Sequence, residues 1–548
     1  MSKRVKAGMK FSVLNGLVKL VFSTLLVVSS AGLMAQSVND RPKLVVGIMV
    51  EGMQHQHVQQ LWTRLHGGGF KRLTTSGASF RQLKSVTTSF GSASDITTLF
   101  TGTVPYYHGI TANRVLNPST SDVHSIFEDK RQSGIQSHLR LSGKAIETST
   151  WVDELMMATR TRSKSFVVAL HPEDALAMGG HTATGVVWLD DVMMRWGSTD
   201  YYTAGMPWQA AQMNTADAVN NLARQKWTPL YSPGTYLAAL SNPSVKSFSY
   251  DPSDKQEGTA SSPTLLKRTP VANSLVRELG LNLIREQELG KDSHTDALLL
   301  QFTVRTPVTS AFSLSSIEME DMYLRLDAIL EDLITKTESM VGDGNVLYVL
   351  YGSQSDSRSP SELQDFNFHT GYYNSYRSMA LLNSYLIALY GQEKWVKSYY
   401  GRHIYLNRTI IEEKGHDFKA FQQLVADFVS EFEGVQSAWP LHNLVQLPVD
   451  TDSELARLRN SVNRKNAGDV VMILKPGWLE TDDQNRTIGE AASLNTRFPL
   501  YLSGWKIETQ TVRESYKLTD IAPTLAAILK LPAPNASIGD EIILTIKE

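Results

Sequence analysis

The sequence predicts an α/β fold with three layers, in which a mostly parallel sheet is covered by helices on both faces. Short runs rich in valine, isoleucine and leucine recur along the 548 residues, and polar side chains do not alternate within them. Uninterrupted apolar strands are typical of sheets that are buried on both faces. Helical spacing of apolar residues lies between these runs, and the strand pattern returns after each long interruption. We therefore expect one α/β/α core with insertions rather than a series of separate domains.

Five apolar runs are predicted to be strands of this sheet: residues 43–50, 165–170, 297–302, 346–350 and 498–502. The clearest helical pattern covers residues 322–340, where Leu326, Leu330 and Leu333 recur at a spacing that places them on one face. Further helices are predicted at residues 422–432 and 521–529.

Two long segments fit the sheet less well and are predicted to be cap insertions. Residues 198–293 are rich in proline, serine, asparagine and tryptophan, whereas residues 353–445 are mostly helical and aromatic in pattern. Insertions in α/β domains often lie above the carboxyl ends of the strands, where ligand sites are found. We expect these two segments to cover the functional site of a domain that spans residues 37–548.

Residues 1–36 read as a secretory signal peptide, with basic residues near the start, an apolar stretch, and small residues before the expected cleavage site. The apolar stretch from residue 20 to residue 28 is far shorter than the roughly 20 residues that span a bilayer. The sequence therefore predicts export, and no later segment resembles a transmembrane helix. We expect a periplasmic protein, or one held at the outer membrane through a partner.

Composition and charge exclude several classes of function. The chain contains no cysteine, so disulfides, thiolate metal ligands and thiol nucleophiles are ruled out. Its formal net charge is −2, and the leader carries five basic and no acidic residues, so the mature chain would carry −7. An acidic protein without a basic run is a poor candidate for binding nucleic acid.

Several segments together resemble the alkaline phosphatase superfamily, in particular its branch of periplasmic monoesterases and type I phosphodiesterases/nucleotide pyrophosphatases. The residues that carry the resemblance are 41–47, 67–73, 100–105, 108–110, 180–181, 188–190, 317–327, 404–408 and 518–525. The resemblance spans nearly the whole mature chain. It implies an alkaline-phosphatase-like core and a site for phosphoryl transfer.

The resemblance also implies a mechanism with specific requirements. Members of this superfamily use two zinc ions, held by three Asp and three His, to clamp the attacking and leaving oxygens. A Thr or Ser is the nucleophile, and it corresponds here to Ser92, with Ser94 as a rival. The phosphoryl-binding asparagine corresponds to Asn113. A Lys-x-Arg element of the monoesterases corresponds to His171-Pro172-Glu173, where Glu173 would repel a phosphate.

Five of the six zinc-ligand positions carry side chains that are poor zinc ligands. The first ligand position keeps a carboxylate, Glu51, but the others correspond to Thr306, Ser310, Gly352, Ser353 and Ile488. Zinc in proteins is held by His, Cys or carboxylate donors, so these residues predict that zinc has been lost. A second histidine position of the family corresponds to Arg497. We expect a guanidinium, from Arg497 or failing that Arg305, to lie within salt-bridge distance of Glu51 or Glu173.

Other catalytic arrangements are weaker alternatives. His55 and His57 could ligate a single metal, although their spacing turns them to different faces of a helix. Asp190 and Asp191 could act as paired carboxylates, and Ser92 could take a base such as His108. The aromatic stretch at residues 372–377 fits sugar or peptide binding and core packing equally well.

The sequence therefore predicts an exported pseudo-phosphatase that lacks cofactors and acts by binding, as a scaffold or accessory subunit for a protein of the cell envelope. One alternative is an active metal-dependent hydrolase of phosphate mono- or diesters with a remodelled or single-metal site. Another is a module that binds a small molecule in the old cleft without zinc.

Overall fold

The computed structural model describes residues 41–80, 83–88, 90–241, 247–252, 262–307, 316–352, 360–365, 367–446, 453–484, 486–488 and 497–547. Within these ranges, the main sheet has ten strands in the order β19-β2-β18-β11-β1-β10-β7-β8-β9-β6. Its five central strands, from β11 through β1, β10 and β7 to β8, pair in parallel. The strands that flank them, β18 and β9, are antiparallel to their inner neighbours. The predicted mostly parallel α/β sheet is thus confirmed.

The strands are β1 Leu44–Glu51, β2 Gly77–Phe80, β3 Leu83–Lys84, β4 Arg114–Leu116, β5 Val123–Ser125, β6 Gly134–Ile135, β7 Ser165–Ala169, β8 Gly185–Asp190, β9 Arg195–Thr199, β10 Asp296–Thr303, β11 Val346–Gly352, β12 Tyr372–Asn374, β13 Val396–Tyr400, β14 His403–Leu406, β15 Val435–Pro440, β16 Val470–Leu474, β17 Leu479–Thr481, β18 Leu500–Gly504, β19 Gln510–Val512 and β20 Tyr516–Lys517.

The α-helices are α1 His55–Gln60, α2 Phe70–Thr75, α3 Ser92–Thr101, α4 Pro105–His108, α5 Trp151–Ala158, α6 Pro172–Gly179, α7 Trp208–Thr215, α8 Ala218–Ala223, α9 Leu237–Ser241, α10 Ser262–Leu266, α11 Pro270–Glu286, α12 Ile317–Val341, α13 Pro360–Asp365, α14 Ser375–Tyr390, α15 Arg408–Glu413, α16 Phe418–Ser430, α17 Leu441–Gln446, α18 Glu454–Ser461 and α19 Ile521–Ile528.

Two hydrophobic clusters cover the two faces of the sheet. Alternate residues of β1 enter different clusters: Val46 and Ile48 pack with α11 and α12, whereas Val45 packs with α3, α5, α6 and α19. This alternation follows from the two-residue repeat of a strand, and it explains why both faces of β1 must be apolar. The arrangement confirms the three-layer prediction.

The two insertions, predicted at residues 198–293 and 353–445, end at other residues in the structure. Helix α11 falls inside the segment 198–293, yet it packs on the sheet as a core helix. The second insertion contains the predicted helices but also builds an antiparallel sheet in the order β13-β14-β16-β15. Strand β16 lies beyond residue 445, so this cap extends further along the chain than expected. Apolar patterns in strands β13–β16 resemble those of short buried helices, which is why periodicity alone did not separate them.

Among the residues described, no helix combines the length and the apolar character needed to cross a membrane.

Candidate functional site

The candidate site lies at the carboxyl ends of the central parallel strands. Glu51 is the last residue of β1, and Arg305 follows β10 by two residues. His171 follows β7 and immediately precedes helix α6, while Ser92 is the first residue of α3. Ligand sites of open α/β sheets form at this edge, because the loops after parallel strands converge there.

Glu51 lies between a guanidinium and an imidazole. Its Oε1 lies 2.9 Å from Nε of Arg305, and its Oε2 lies 3.5 Å from Nε2 of His171. Burial raises the pKa of Glu51, but the charge of Arg305 and the hydrogen bond from His171 outweigh it, and the pKa falls to about 2. The carboxylate is therefore ionised at any physiological pH, with a guanidinium beside it.

Of the two arginines considered from the sequence, Arg305 is the one that pairs with Glu51. The contact brings together the ends of neighbouring strands, because Glu51 is in register with Thr303 of β10. Arg497 instead forms an isolated β-bridge with Lys84.

Ser92 lies in a small network of polar side chains. Its hydroxyl donates to Oδ1 of Asp174 at 2.6 Å and accepts from Nδ2 of Asn113 at 3.1 Å. The Asn113 amide oxygen also accepts from the backbone N–H of Ala93 at 3.0 Å, which fixes this loop to the start of α3. Ser94, the rival nucleophile position, is buried at 1% exposure, so Ser92 is the hydroxyl that the cleft presents.

Residue 91 must be a glycine for this network to form. A Cβ there would collide with the amide oxygen of Asn113 and approach its backbone nitrogen to 2.9 Å. Sequence reasoning placed Gly91, Ser92 and Asn113 in one site, and the structure brings them together.

Asp174 was missed by sequence reasoning. Its Oδ2 accepts from Nε2 of Gln301 at 2.6 Å, and Oε1 of Gln301 accepts from the backbone N–H of Leu170 and of His171 at 2.9 and 3.2 Å. Burial and the nearby carboxylates raise the pKa of Asp174 to about 6, against the opposing effects of His171 and of the Ser92 hydroxyl. The available signal was the acidic first turn of α6 after Pro172, but it does not reveal a partner 82 residues away.

His171 interacts electrostatically with both networks, through Glu51 on one side and Asp174 on the other. Burial lowers the pKa of His171, and Lys267 also lowers it, but the hydrogen bond and charge of Glu51 and the charge of Asp174 outweigh them. The pKa is raised as a result, so the two carboxylates favour the protonated form of the imidazole that lies between the Glu51 side and the Ser92 side of the site.

The structure describes three of the other positions that correspond to zinc ligands of the superfamily, and their side chains are not metal ligands. Thr306 is buried at 5% exposure, and Gly352 has Met53 carbonyl oxygen and Pro499 at 2.7 Å from where a Cβ would lie. Ile488 is 37% exposed. Ser310 and Ser353 lie outside the described residues.

Within the described ranges, no three His, Cys, Asp or Glu side chains are grouped so that they could hold a metal. The one carboxylate kept from the superfamily pattern, Glu51, is paired with a guanidinium, whose charge would repel a metal cation at the same oxygens.

The histidine alternatives are occupied by structural contacts. His55 Nδ1 makes a short hydrogen bond with the Tyr501 hydroxyl, whereas His57 Nδ1 lies 3.3 Å from the Tyr323 hydroxyl. These two rings therefore face different partners. His108 is fully buried, and burial lowers its pKa to about 3.

The remaining alternatives also have local explanations. His108 Nε2 lies 3.0 Å from the Thr98 hydroxyl rather than against Ser92. Asp190 accepts from the backbone N–H of Val192 and Met193 in a turn, and Asp191 pairs with Lys267. In the stretch 372–377, one tyrosine is buried and two are exposed, so packing explains only part of it: Tyr373 is 2%, Tyr372 55% and Tyr376 70% exposed.

Comparison with known proteins identifies the relatives of this chain. The family model for type I phosphodiesterase/nucleotide pyrophosphatase matches residues 45–498. Alkaline phosphatase PhoV of Synechococcus elongatus is 28% identical, over 92% of this chain and 93% of that protein. Alkaline phosphatase PafA of Elizabethkingia meningoseptica is 26% identical, over 94% and 97%. The crystal structure of wild-type PafA matches with a TM-score of 0.81 at 24% identity, over 92% of this chain and 98% of that chain, and shows the shared fold.

Proposed function

The chain belongs to the type I phosphodiesterase/nucleotide pyrophosphatase family, and from that premise we propose that it is an exported pseudo-phosphatase that binds rather than hydrolyses. The relatives named above are alkaline phosphatases, so phosphate ester hydrolysis is the activity that the family suggests. The observation that carries the proposal is the Arg305 guanidinium 2.9 Å from the Glu51 carboxylate. A fixed organic cation occupies the charge-neutralising role that a metal would need there.

A metal could enter only by displacing this guanidinium. Both side chains are mostly buried, with 16% exposure for Arg305 and 17% for Glu51. Breaking such a pair strands a charge, which is strongly unfavourable in a buried site. The ion pair therefore supports a cleft that is stable without a metal.

Within the described residues, the Ser92 hydroxyl donates to a carboxylate, Asp174, and no histidine or lysine contacts it. A metal ion or a strong base must take the proton from a serine hydroxyl before it attacks. The nearest acceptor is Asp174, and its pKa of about 6 describes a carboxylate that holds a proton only weakly at neutral pH. The Ser92 hydroxyl remains a hydrogen-bond donor and acceptor, which suits binding.

The biological role that follows is that of a scaffold or accessory subunit for a partner in the cell envelope. The predicted leader supports export, and the acidic mature chain fits a protein partner better than a nucleic acid. A pull-down from envelope extract would recover a reproducible partner under this proposal. A small-molecule binding module would instead recover no protein but retain a ligand through purification.

The proposal is tested by metal content and turnover together. Mature protein purified with added zinc should contain no stoichiometric metal by elemental analysis. Its turnover of p-nitrophenyl phosphate and bis(p-nitrophenyl) phosphate should stay at background, and Ser92→Ala should leave that background unchanged. Two metal equivalents per chain, or turnover that Ser92→Ala abolishes, would refute the proposal.

A second candidate is hydrolysis through Ser92 with Asp174 as the proton acceptor. The 2.6 Å hydrogen bond between them is the observation that favours it. This reaction would persist in chelator and would be lost in both Ser92→Ala and Asp174→Asn. Its rate would rise with pH as Asp174 ionises, around pH 6.

A further inference from the structure

We infer that His181 is a pH-sensitive latch: its protonated imidazole bridges the carboxylate of Asp153 and the backbone carbonyl of Ile146, and the loss of one proton releases residues 143–147. The inference goes beyond the proposed function. It concerns a junction at the opposite end of α6 from Asp174, and it does not depend on whether the cleft is active.

The latch joins three segments that lie close together. His181 follows the end of α6, Asp153 lies in the first turn of α5, and Ile146 comes directly after a short turn that begins at Gly143. A Cβ on Gly143 would collide with the carbonyl oxygen of Gly180. The backbones therefore approach as closely as glycine allows, and side-chain contacts at this junction have little slack.

Both ring nitrogens of His181 face hydrogen-bond acceptors. Nδ1 lies 3.0 Å from Oδ2 of Asp153, and Nε2 lies 2.8 Å from the carbonyl oxygen of Ile146. A carbonyl oxygen can only accept a hydrogen bond, and so can an ionised carboxylate. Both contacts are therefore hydrogen bonds only when both nitrogens carry a hydrogen, and the geometry selects the imidazolium.

Asp153 supplies a negative charge that stays in place. Its side chain is 3% exposed, and its oxygens also accept from the backbone N–H and hydroxyl groups of Thr150 and Thr182. Burial raises the pKa of Asp153, but the hydrogen bond and charge of His181, together with the threonine contacts, outweigh it, and the pKa is lowered. Because the threonine contacts do not titrate, Asp153 remains anchored when His181 loses a proton.

Deprotonation of His181 breaks the contact with Ile146 rather than the contact with Asp153. The neutral ring keeps its hydrogen on Nδ1, because a charged acceptor makes the stronger hydrogen bond. A lone pair on Nε2 then faces the carbonyl oxygen of Ile146, and two acceptors do not bind each other. The hydrogen bond to Asp153 raises the pKa of His181, against the effect of burial. The latch is therefore closed below pH 6.5 and opens as the pH rises through this raised pKa.

The other ionisable groups around the junction do not account for such a change. They are Lys144, Glu147, Glu154, Asp129, Tyr201 and Tyr202. Lys144 is exposed. The carboxylates of Asp129, Glu147 and Glu154 contact other partners: Arg131, Lys465 and the Ser149 hydroxyl. Burial raises the pKa of both tyrosines, so they are neutral where an imidazole titrates.

Opening of the latch affects more than Ile146. The backbone N–H of the next residue, Glu147, donates to the carbonyl oxygen of His108 at 3.0 Å, and His108 precedes the loop that carries Asn113. The Glu147 carboxylate also pairs with Lys465, which precedes strand β16 of the cap. Release of residues 143–147 therefore loosens one support of the Asn113 loop and one contact with the cap.

Hydrogen–deuterium exchange measured by mass spectrometry, from about pH 6 to about pH 9 and corrected for intrinsic exchange, tests the latch. In the wild type, protection of a peptide that covers residues 143–149 should fall about tenfold as the pH rises. His181→Gln should abolish this dependence, because an amide does not titrate. The matched control is His66→Gln, since the His66 ring is 53% exposed and also contacts a carboxylate, that of Glu331. It should keep the decline of the wild type.

A second measurement follows the imidazole itself. With histidines labelled at Cε1, the NMR resonance that is absent in His181→Gln should titrate above pH 6.5 in the wild type. Protection that does not change with pH in the wild type, a decline that persists in His181→Gln, or titration at or below pH 6.5 would overturn the inference. If the variant does not fold, the exchange of the wild type decides alone. Metal content and turnover do not enter these measurements, so the proposed function can fail separately.

Discussion

The Ser92 side and the Glu51 side of the cleft hold their polar groups in different ways. Around Ser92, the contacts are hydrogen bonds among a hydroxyl, an amide and a carboxylate, and they are anchored to the backbone by Asn113 and Gln301. Around Glu51, the contacts are an ion pair with Arg305 and a contact with the imidazole of His171. The comparison shows two ways of stabilising polar groups in one site: hydrogen bonds that tie a loop to the backbone, and a carboxylate that is balanced by a guanidinium and an imidazole.

The largest expected effect is the loss of the cation on the Glu51 side. Arg305→Ala removes the guanidinium from a carboxylate that is 17% exposed, and it should lower the free energy of unfolding by about 3 kcal/mol. Urea denaturation at pH 7 measures this. Arg285→Ala, at an exposed position, is the control, and the double change Glu51→Gln with Arg305→Gln should recover part of the loss. A value for Arg305→Ala equal to that of the control would show that the ion pair contributes nothing.

The next effect is a pH dependence of stability that differs between the Ser92 side and the Glu51 side of the site. The pKa of Asp174 is raised from 3.8 to about 6 in the folded protein, so its contribution to stability is fully present below pH 3.8 and is lost as pH rises through 6. Asp174→Asn lacks this decline, so its stability relative to the wild type should improve between pH 4 and pH 7. Urea denaturation across this range measures the trend, with the exposed Asp122→Asn as control. A constant difference between the wild type and Asp174→Asn would argue against a raised pKa.

The opposite dependence is expected from Glu51. Its pKa is lowered from 4.5 to about 2, so its contribution is present above pH 4.5 and is lost as the pH falls towards 2. In Glu51→Gln, the free energy of unfolding should therefore fall less steeply as the pH drops below 4.5. Between pH 5 and pH 7, its dependence on pH should stay like that of the wild type, because Asp174 is still present. An unchanged acid limb in Glu51→Gln would contradict the assignment.

A smaller effect is expected at Ser92. Ser92→Ala removes one donor to Asp174 and one acceptor for Asn113, which should cost about 1 kcal/mol of stability. The larger loss at Arg305 than at Ser92 would confirm that the charged half carries more of the stability. Equal losses in the two variants would remove the distinction.

The smallest expected effect is that of a chelator. In a metal-dependent relative, ions bound to the folded state would add stability by mass action. Here EDTA should leave the melting temperature unchanged in a thermal scan, with zinc-supplemented protein as the reference. A lower melting temperature in EDTA would show that a metal had been bound.

The sequence predicted the sheet well, because β1, β10 and β11 are apolar over almost their whole length and leave little ambiguity. It also placed Ser92 and Asn113 in one site, because both lie in short segments whose resemblance to the superfamily can be recognised from the sequence. Asp174 was not found, because its partners Ser92 and Gln301 are distant in the chain and only the fold brings them together. The sequence also did not show which arginine, Arg305 or Arg497, pairs with Glu51, because this depends on the register between β1 and β10.

The position of β1 has a consequence for how the chain folds. This first strand of the sheet pairs with β10 and β11, which begin about 250 and 300 residues later. Neither edge of β1 can be satisfied until most of the chain is available, so its pairing has a high contact order and is expected to be slow. The delay leaves an apolar edge exposed meanwhile, which makes β1 the segment where a chaperone would be most useful.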